Sequence, residues 1–112
     1  MKNDEKWNKL ILSTGYTKDI SDLSAYQLAY LQKIKTNFSK IEDMAYSEAQ
    51  KILNEFYGDD NPLHEIDLKG LNLPEDDTNV WELYFESIGD GKYLIPIVIF
   101  TEFEITGRTY VN

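Results

Sequence analysis

The chain has 112 residues, with 11 Lys and Arg, 20 Asp and Glu, one His and no Cys, which gives a net charge of −9. This length suits a single domain, and 42% hydrophobic residues are enough to form a core without a metal or a disulfide. Composition therefore excludes a disordered tail, a disulfide scaffold, a collagen-like fibre and a membrane-spanning helix. The lack of cysteine also excludes thiol catalysis and cysteine-ligated metal centres.

The N-terminal segment predicts one short helix and no export signal. Trp7, Leu10 and Ile11 recur at helical spacing within residues 4–14, and Gly15 stands where a helix commonly ends. No apolar run near the N-terminus is long enough for a secretory signal. We therefore expect a complete small protein located in the cytoplasm.

Residues 23–57 predict two helices, over 23–36 and 40–57. The segment contains no Gly or Pro, and its apolar residues recur every three or four positions. The pair Thr36-Asn37 favours a turn, and the run Ser39-Lys40-Ile41-Glu42 has the pattern of a capping box, so we expect a break between them. One continuous helix stays open as an alternative.

After the linker 58–62 the apolar residues alternate, which is typical of β-strands. Residues 66–73 predict a first strand with a bulge at Gly70, and the polar, acidic turn 74–79 follows it. Residues 80–86 predict a second strand with one buried and one solvent-facing side. The buried side carries Trp81, Leu83 and Phe85, and the solvent-facing side carries Glu82, Tyr84 and Glu86.

Two further strands complete the predicted sheet. The run Gly89-Asp90-Gly91 predicts a hairpin turn. Residues 93–100 are apolar on both faces, as expected of a central strand, although Pro96 implies a bulge or an edge. Residues 102–106 predict a short last strand that ends before Gly107.

The order of helices first and strands second predicts an α+β fold, in which two or three N-terminal helices pack on a three- to four-stranded antiparallel β-meander. The single domain, residues 1–112, then has a helical half, 1–57, and an acidic β-sheet half, 63–112. Residues 1–57 carry eight basic and eight acidic residues, whereas residues 58–112 carry three basic and twelve acidic ones. The whole net charge therefore belongs to the second half, where it attracts basic partners and repels nucleic acid and anionic membranes. The alternative is that this charge serves only solubility.

No residue pattern predicts catalysis. The phosphate-binding loop, the dinucleotide glycine motif, the nucleophile elbow and the zinc-protease motif are all absent. His64 is the single histidine, too few for a zinc site, and the acidic turns 59–61 and 75–79 lack the spacing of a calcium loop. We expect no catalytic residue, no cofactor and no metal. A small metal-dependent enzyme acting through His64 and carboxylates stays open as an alternative.

The eight tyrosines predict packing and interface surfaces. We expect those in the helical half to line the seam between helices and sheet, namely Tyr26, Tyr30, Tyr46 and Tyr57. Single-strand nucleic-acid binders combine aromatic residues with a basic groove, which a strand half with three basic residues does not offer. Tyrosine beside acidic residues is instead typical of a protein interface.

Four runs and a hairpin carry a resemblance to a known class. They are Ala25-Tyr26-Gln27-Leu28-Ala29-Tyr30-Leu31-Gln32, Asn54-Glu55-Phe56-Tyr57, Leu68-Lys69-Gly70-Leu71-Asn72-Leu73, Trp81-Glu82-Leu83-Tyr84-Phe85 and the hairpin from Ile97 to Ile105. This arrangement, over residues 24–107, is similar to small bacterial domains grouped with the immunity proteins of contact-dependent and polymorphic toxin systems. The resemblance implies a cytosolic protein that neutralises its partner by binding. It brings no catalytic motif, and residues 1–23 lie outside it.

We therefore predict a non-catalytic acidic binding protein, an immunity-type inhibitor that binds a basic toxin or nuclease and neither nucleic acid nor membrane. The candidate contact residues are Asp76, Asp77, Glu82, Tyr84, Glu86 and Glu102. The alternative is a structural or regulatory domain that self-associates, as a homodimer for example, through the helical face of 23–57 or a strand edge. Pro96, Glu102 and Glu104 are typical of residues that protect such an edge.

Overall fold

The computed structural model of the protein describes residues 7–11, 20–58, 65–89 and 92–111. Its described helices are α1 (7–11), a 3₁₀ turn (Ile20–Asp22), α2 (Ala25–Thr36) and α3 (Phe38–Tyr57). Four strands follow, β1 (Glu65–Asn72), β2 (Val80–Gly89), β3 (Lys92–Thr101) and β4 (Glu104–Val111). They form one antiparallel sheet in the order β1-β2-β3-β4, which confirms the predicted α+β fold with N-terminal helices and a meander.

Helices α2 and α3 are separate, as predicted, but the capping box lies at a different residue. Ser24 Oγ accepts a hydrogen bond from the Gln27 N–H at 3.1 Å, and Gln27 Oε1 accepts one from the Ser24 N–H at 3.2 Å. The predicted capping box at Ser39 is wrong, because α3 already begins at Phe38 and Ser39 is helical. The chain turns at Asn37 alone, whose Nδ2 donates to the Lys33 carbonyl at the end of α2 at 2.9 Å. One residue therefore both ends α2 and starts α3.

One side of the sheet packs on the helices. Trp81, Leu83 and Phe85 of β2 are buried on this side, as the alternation predicts. Trp81 stacks on Phe100 of β3, its register partner, with ring centroids 4.3 Å apart. Residues of α1, α2 and α3 belong to the same buried cluster as these strand residues, so the helices and the sheet share one core.

The prediction for the first strand is confirmed and the one for Pro96 is wrong. The register of β1 against β2 shifts between Leu68 and Gly70, which is the predicted bulge. Pro96, however, lies fully buried inside β3, between β2 and β4, where it forms neither an edge nor a bulge. On either side of Pro96, Ile97 pairs with Tyr84 and Leu94 pairs with Ser87 of β2 in the same register. Because proline has no backbone N–H, the pairing is interrupted at Pro96, but the strand is not displaced.

The last strand is longer than predicted. Glu102 and Phe103 form a turn, and β4 then runs from Glu104 to Val111, through Gly107. The turn depends on Glu102, which has a φ of 55° and whose N–H donates to the Asn79 carbonyl at 2.8 Å. Gly107 pairs with Ile99 within the strand and does not end it.

Some predicted features lie outside the described residues. They are Gly15, the linker residues 59–62, His64 and the turn residues Asp90 and Gly91. Gly89 and Lys92, on either side of that turn, pair with each other at the ends of β2 and β3. Of the helices that the structure describes, none is long and apolar enough to cross a membrane.

Candidate functional site

The six predicted contact residues lie in two separate places. Glu82, Tyr84 and Glu86 follow one another on the side of β2 that faces away from the helices. We call this side of the sheet the outer face. Asp76 and Asp77 lie in the β1–β2 loop, and Glu102 lies in the β3–β4 turn. The six candidates therefore divide between the outer face and a second region near the start of α2.

The carboxylate of Glu82 on the outer face is held by two hydrogen bonds. Asn72 of β1, its register partner, donates from Nδ2 to Glu82 Oε1 at 3.0 Å. The hydroxyl of Tyr84 donates to the same oxygen at 3.3 Å. Glu82 and Tyr84 are only partly exposed, so these bonds fix a carboxylate and an aromatic ring side by side on the sheet.

Further along β2 two carboxylates face each other. Glu86 pairs with Asp67 of β1 in the strand register, so that both side chains lie on the outer face. Like charges directly opposite each other destabilise a strand pair, and a cationic group placed near them relieves that repulsion. Lys69, at the bulge, is the one basic residue of β1 and β2. The outer face is thus predominantly acidic along these two strands.

An apolar stripe runs beside these acidic residues. Ile95, Ile97 and Ile99 of β3 alternate with the inward residues and so lie on the outer face, where Ile97 is opposite Tyr84. Ile95 and Ile99 are partly exposed, whereas Ile97 between them is buried, and neither of the two buried clusters includes any of the three. This stripe was not predicted as a surface feature. Its signal in the sequence is that β3 is apolar on both faces, a pattern that predicts a central strand.

The β1–β2 loop is attached to the first turns of α2. Asp76 Oδ1 accepts a hydrogen bond from Ser24 Oγ at 2.5 Å, and the hydroxyl of Tyr26 donates to the Thr78 carbonyl. The Tyr30 hydroxyl donates to the Asn79 carbonyl at 3.3 Å. Asp76 therefore has a structural role at the helix start, where a negative charge is also favourable to the helix dipole.

Glu102 has a structural role in the backbone of the same region. Its carbonyl accepts a hydrogen bond from Trp81 Nε1 at 2.5 Å, and its carboxylate accepts one from Asn79 Nδ2 at 3.5 Å. These bonds join the β3–β4 turn to the end of the β1–β2 loop. Glu102 therefore lies near the loop of Asp76 and Asp77 and away from the outer face.

A shallow groove of about 280 Å³ separates α2 from the β3–β4 turn. Its lining comprises Tyr26, Ala29, Tyr30, Lys33, Asn79, Glu102 and Phe103. Tyr30 stacks on Phe103 with ring centroids 6.1 Å apart, and burial raises the pKa of the Tyr30 hydroxyl. Lys33 and Glu102 are the charged residues of this lining.

The helical tyrosines line the seam between helices and sheet, as predicted. Tyr46 contacts the ring of Phe85 edge-on at a centroid distance of 5.0 Å, and burial raises the pKa of its hydroxyl. Tyr57 packs against the small buried cluster formed by Ile52, Leu53 and Leu94. Tyr46 and Tyr57 are partly buried and pack against the core, whereas Tyr84 is the one predicted contact residue with an aromatic ring on the outer face.

Arg108 of β4 is neutralised by carboxylates of α3. Its Nη1 lies 2.8 Å from Glu48 Oε2, and its Nη2 bonds to Glu55. Lys51 Nζ is 3.1 Å from the other oxygen of Glu48. Burial opposes ionisation of Glu48, but the hydrogen bonds from Lys51 and Arg108 outweigh it and lower the pKa of that carboxyl. The basic residue nearest the apolar stripe is thus turned to the helical side and does not offset the acidic outer face.

Among the described residues, no group of three or more His, Asp or Glu is placed to hold a metal ion. No family model, curated protein sequence or solved structure matches the chain. The candidate site therefore depends on the chemistry of the outer face alone.

Proposed function

We propose that the protein is a non-catalytic binding module that covers a basic surface of another protein with its outer face, as an immunity-type inhibitor of a toxin or nuclease would. The observation that carries the proposal is the arrangement of Glu82, Tyr84 and Glu86, all partly exposed, on one face of the sheet beside an apolar stripe. Three of the six predicted contact residues thus share a surface that combines charge, an aromatic ring and apolar area.

This combination suits a protein partner better than a nucleic acid. Stable interfaces have an apolar, aromatic centre and a polar rim, and the isoleucine stripe with Tyr84 would supply that centre. Lys and Arg side chains of the partner would meet Glu82, Glu86 and Asp67. Because Glu82 is already oriented by Asn72 and Tyr84, little side-chain entropy is lost when it binds a cation. The same carboxylates repel phosphate groups.

The proposal assigns different roles to the remaining candidates. Asp76 and Glu102 hold the β1–β2 loop and the β3–β4 turn in place, so their substitution affects stability first. Asp77 is exposed in the loop and contributes to the overall negative field. We expect that field to accelerate association with a basic partner, and added salt to slow it.

The test compares two charge-matched double variants. The purified protein is immobilised and exposed to a lysate of its own host at low salt, and bound protein is eluted with a salt step. The eluted partner is then purified, and its affinity for the wild-type chain and for each variant is measured. We expect the salt step to elute one basic protein. Its dissociation constant should be about tenfold or more higher for the Glu82→Gln/Glu86→Gln variant than for the wild-type chain, because charged interface contacts are lost. The control, Asp22→Asn/Asp43→Asn, removes the same charge from exposed positions on the helical side.

Three results would overturn the proposal. The two double variants could weaken binding equally, which would show that net charge and not the outer face is recognised. The affinity could be indifferent to ionic strength, which would remove the electrostatic contribution. Finally, the lysate could contain no protein that binds the wild-type chain.

A further inference from the structure

The two edge strands of the sheet differ in how well they are protected from pairing with another strand. The β1 edge is interrupted by the bulge between Leu68 and Gly70 and carries Asp67 and Lys69. Bulges and charged side chains are the usual means by which proteins block an exposed edge. By these criteria the β1 edge is protected against pairing with another strand.

Strand β4 has its own register shift, between Ile105 and Gly107, and beyond that shift Arg108 is its one charged residue. From Ile105 to Val111 it contains no Pro and no Lys, and four of its seven residues are β-branched. Its register with β3 shifts only at Phe100, so the segment from Gly107 to Val111 is regular. Of the residues predicted to protect an edge, Pro96 is in an interior strand, Glu102 is in a turn, and Glu104 lies only at the start of β4.

The β4 edge is also electrically neutral in a strongly acidic chain. Arg108 is the only charged residue from Ile105 to Val111, and its guanidinium binds Glu48 and Glu55 of α3. Lys51 also binds Glu48, so two positive groups balance two negative ones in this cluster. Two copies of a chain with a net charge of −9 repel each other least where their surfaces are neutral. This edge is therefore a surface at which like chains can approach.

Apolar side chains are exposed on both sides of this edge. On the helical side Tyr110, 47% exposed, contacts Phe56, 38% exposed, with ring centroids 5.1 Å apart. On the outer face Val111, the register partner of Ile95, is 52% exposed. A strand and helix added beside β4 would remove these side chains from water.

We propose that β4 pairs with β4 of a second copy, antiparallel across a two-fold axis, so that two sheets join into one of eight strands. An isologous contact presents the same patch twice, and antiparallel pairing lets one edge strand serve as its own partner. The five regular residues from Gly107 to Val111 give an edge of about 17 Å along which backbone N–H and C=O groups would bond. The second copy is favoured over the basic partner because the part of this edge from Ile105 to Val111 has no carboxylate of its own.

This proposal is independent of the proposed function. Pairing at β4 extends the sheet in its own plane and leaves Glu82, Tyr84 and Glu86 uncovered. The two associations also differ in their response to salt. Screening weakens binding of a basic partner, whereas it reduces repulsion between two acidic copies and leaves a neutral edge unaffected.

The experiment measures the mass of the purified full chain by sedimentation velocity, from micromolar to millimolar concentration. We expect the mass to rise with concentration from 13.1 kDa to twice that value, at physiological and at higher salt. Val111→Lys and Thr109→Lys each place a hydrated charge on the exposed β4 edge and should raise the dimer dissociation constant by about tenfold or more. The matched control is Val80→Lys, since Val80 is 50% exposed but starts β2, an interior strand.

Each other outcome would overturn the proposal. A wild-type chain that sediments at 13.1 kDa at every concentration has no such dimer. A dimer weakened equally by Val80→Lys, or by neither edge substitution, associates elsewhere. The wild-type chain could also be a monomer that captures a protein from the lysate. If Val111→Lys abolishes this capture and Glu82→Gln/Glu86→Gln does not, β4 pairs with a strand of another protein. Thermal melts followed by circular dichroism check that each variant is folded. Two edge variants are used so that the test remains possible if one of them does not fold.

Discussion

At the scale of single residues, Ser87 shows how strand alternation can bury a polar group. Ser87 follows Trp81, Leu83 and Phe85 on the helical side of β2, and it is almost fully buried beside Leu94. Its hydroxyl has no hydrogen-bond partner among the described residues. A buried hydroxyl without a partner loses its hydration and gains nothing in return.

We therefore expect Ser87→Ala to stabilise the protein. Removal of the unsatisfied hydroxyl should raise the free energy of unfolding by about 1 kcal/mol, since methyl replaces a group that is costly to bury. Urea denaturation followed by circular dichroism measures this difference. A destabilisation of the same size would mean that the hydroxyl has a partner in solution.

Glu48 makes stability depend on pH. Its pKa is lowered in the folded protein, so folding favours the ionised carboxylate, and this stabilisation is lost as the pH falls through the folded pKa. Glu48→Gln should therefore lower the thermal midpoint at neutral pH, and the gap to wild type should shrink below pH about 4, where the unfolded carboxyl is protonated. Thermal unfolding over a pH series measures it.

The control for this pH prediction is Glu55→Gln. It removes the other carboxylate that binds Arg108, but Glu55 is mostly exposed and its ion pair is screened by water. We expect a smaller loss at neutral pH than for Glu48→Gln. A gap between Glu48→Gln and wild type that is constant with pH would contradict the assignment to ionisation.

At the scale of elements, the start of α2 joins a helix to the sheet. Ser24 has extended backbone angles, φ −68° and ψ 164°, which direct its hydroxyl to the Gln27 N–H. The same hydroxyl donates to Asp76 of the β1–β2 loop. Ser39 lies three residues before Glu42, as Ser24 lies three residues before Gln27, but the helical backbone of Ser39 cannot adopt the capping geometry.

Two serine substitutions test which cap is used. Ser24→Ala should lower the free energy of unfolding by about 1 kcal/mol, the usual cost of losing an N-cap. Ser39→Ala, in the exposed first turn of α3, should leave stability nearly unchanged. Urea denaturation of both variants measures the difference, and a larger loss for Ser39→Ala would restore the cap predicted from the sequence.

At the scale of the whole molecule, α1 contributes to the common core of helices and sheet. Trp7 is buried and contacts Phe38, at the start of α3, with ring centroids 4.8 Å apart and nearly perpendicular. Leu10 and Ile11 of α1 belong to the same buried cluster. This short helix is therefore part of the folded unit, although five residues alone are far too few to be helical in water.

Trp7→Ala should destabilise the protein by about 3 kcal/mol or more, as expected for the loss of a large buried aromatic residue. Trp7→Phe, which keeps an aromatic contact to Phe38, should cost less. Leu28→Ala, at an exposed position of α2, is the control and should have a small effect. Equilibrium unfolding measures all three, and a Trp7→Ala loss no larger than that of the control would show that α1 does not stabilise the fold.

Much of the fold is local and was therefore predictable. The order of helices and strands, the break near Asn37, the bulge at Gly70 and the two faces of β2 follow from turn residues and apolar periodicity. The grouping of Glu82, Tyr84 and Glu86 is predictable for the same reason, since alternate residues of one strand share a face. The sequence by itself thus determined the α+β class and half of the candidate site.

The tertiary structure decided what depends on which segments meet. The strand order placed Pro96 in the interior of the sheet and made β4 an edge strand. The local pattern of apolar residues predicts strands but not their order in the sheet, so neither feature could be predicted from it. Loop contacts to α2 separated Asp76 and Glu102 from the outer face. The helices that the structure describes pack on one side of the sheet, and on the other side Ile95 and Ile99 of β3 stay partly exposed while Ile97 is buried. The binding surface that we propose includes the isoleucine stripe for the physical reason that burial of a strand's two faces is set by the layers around it.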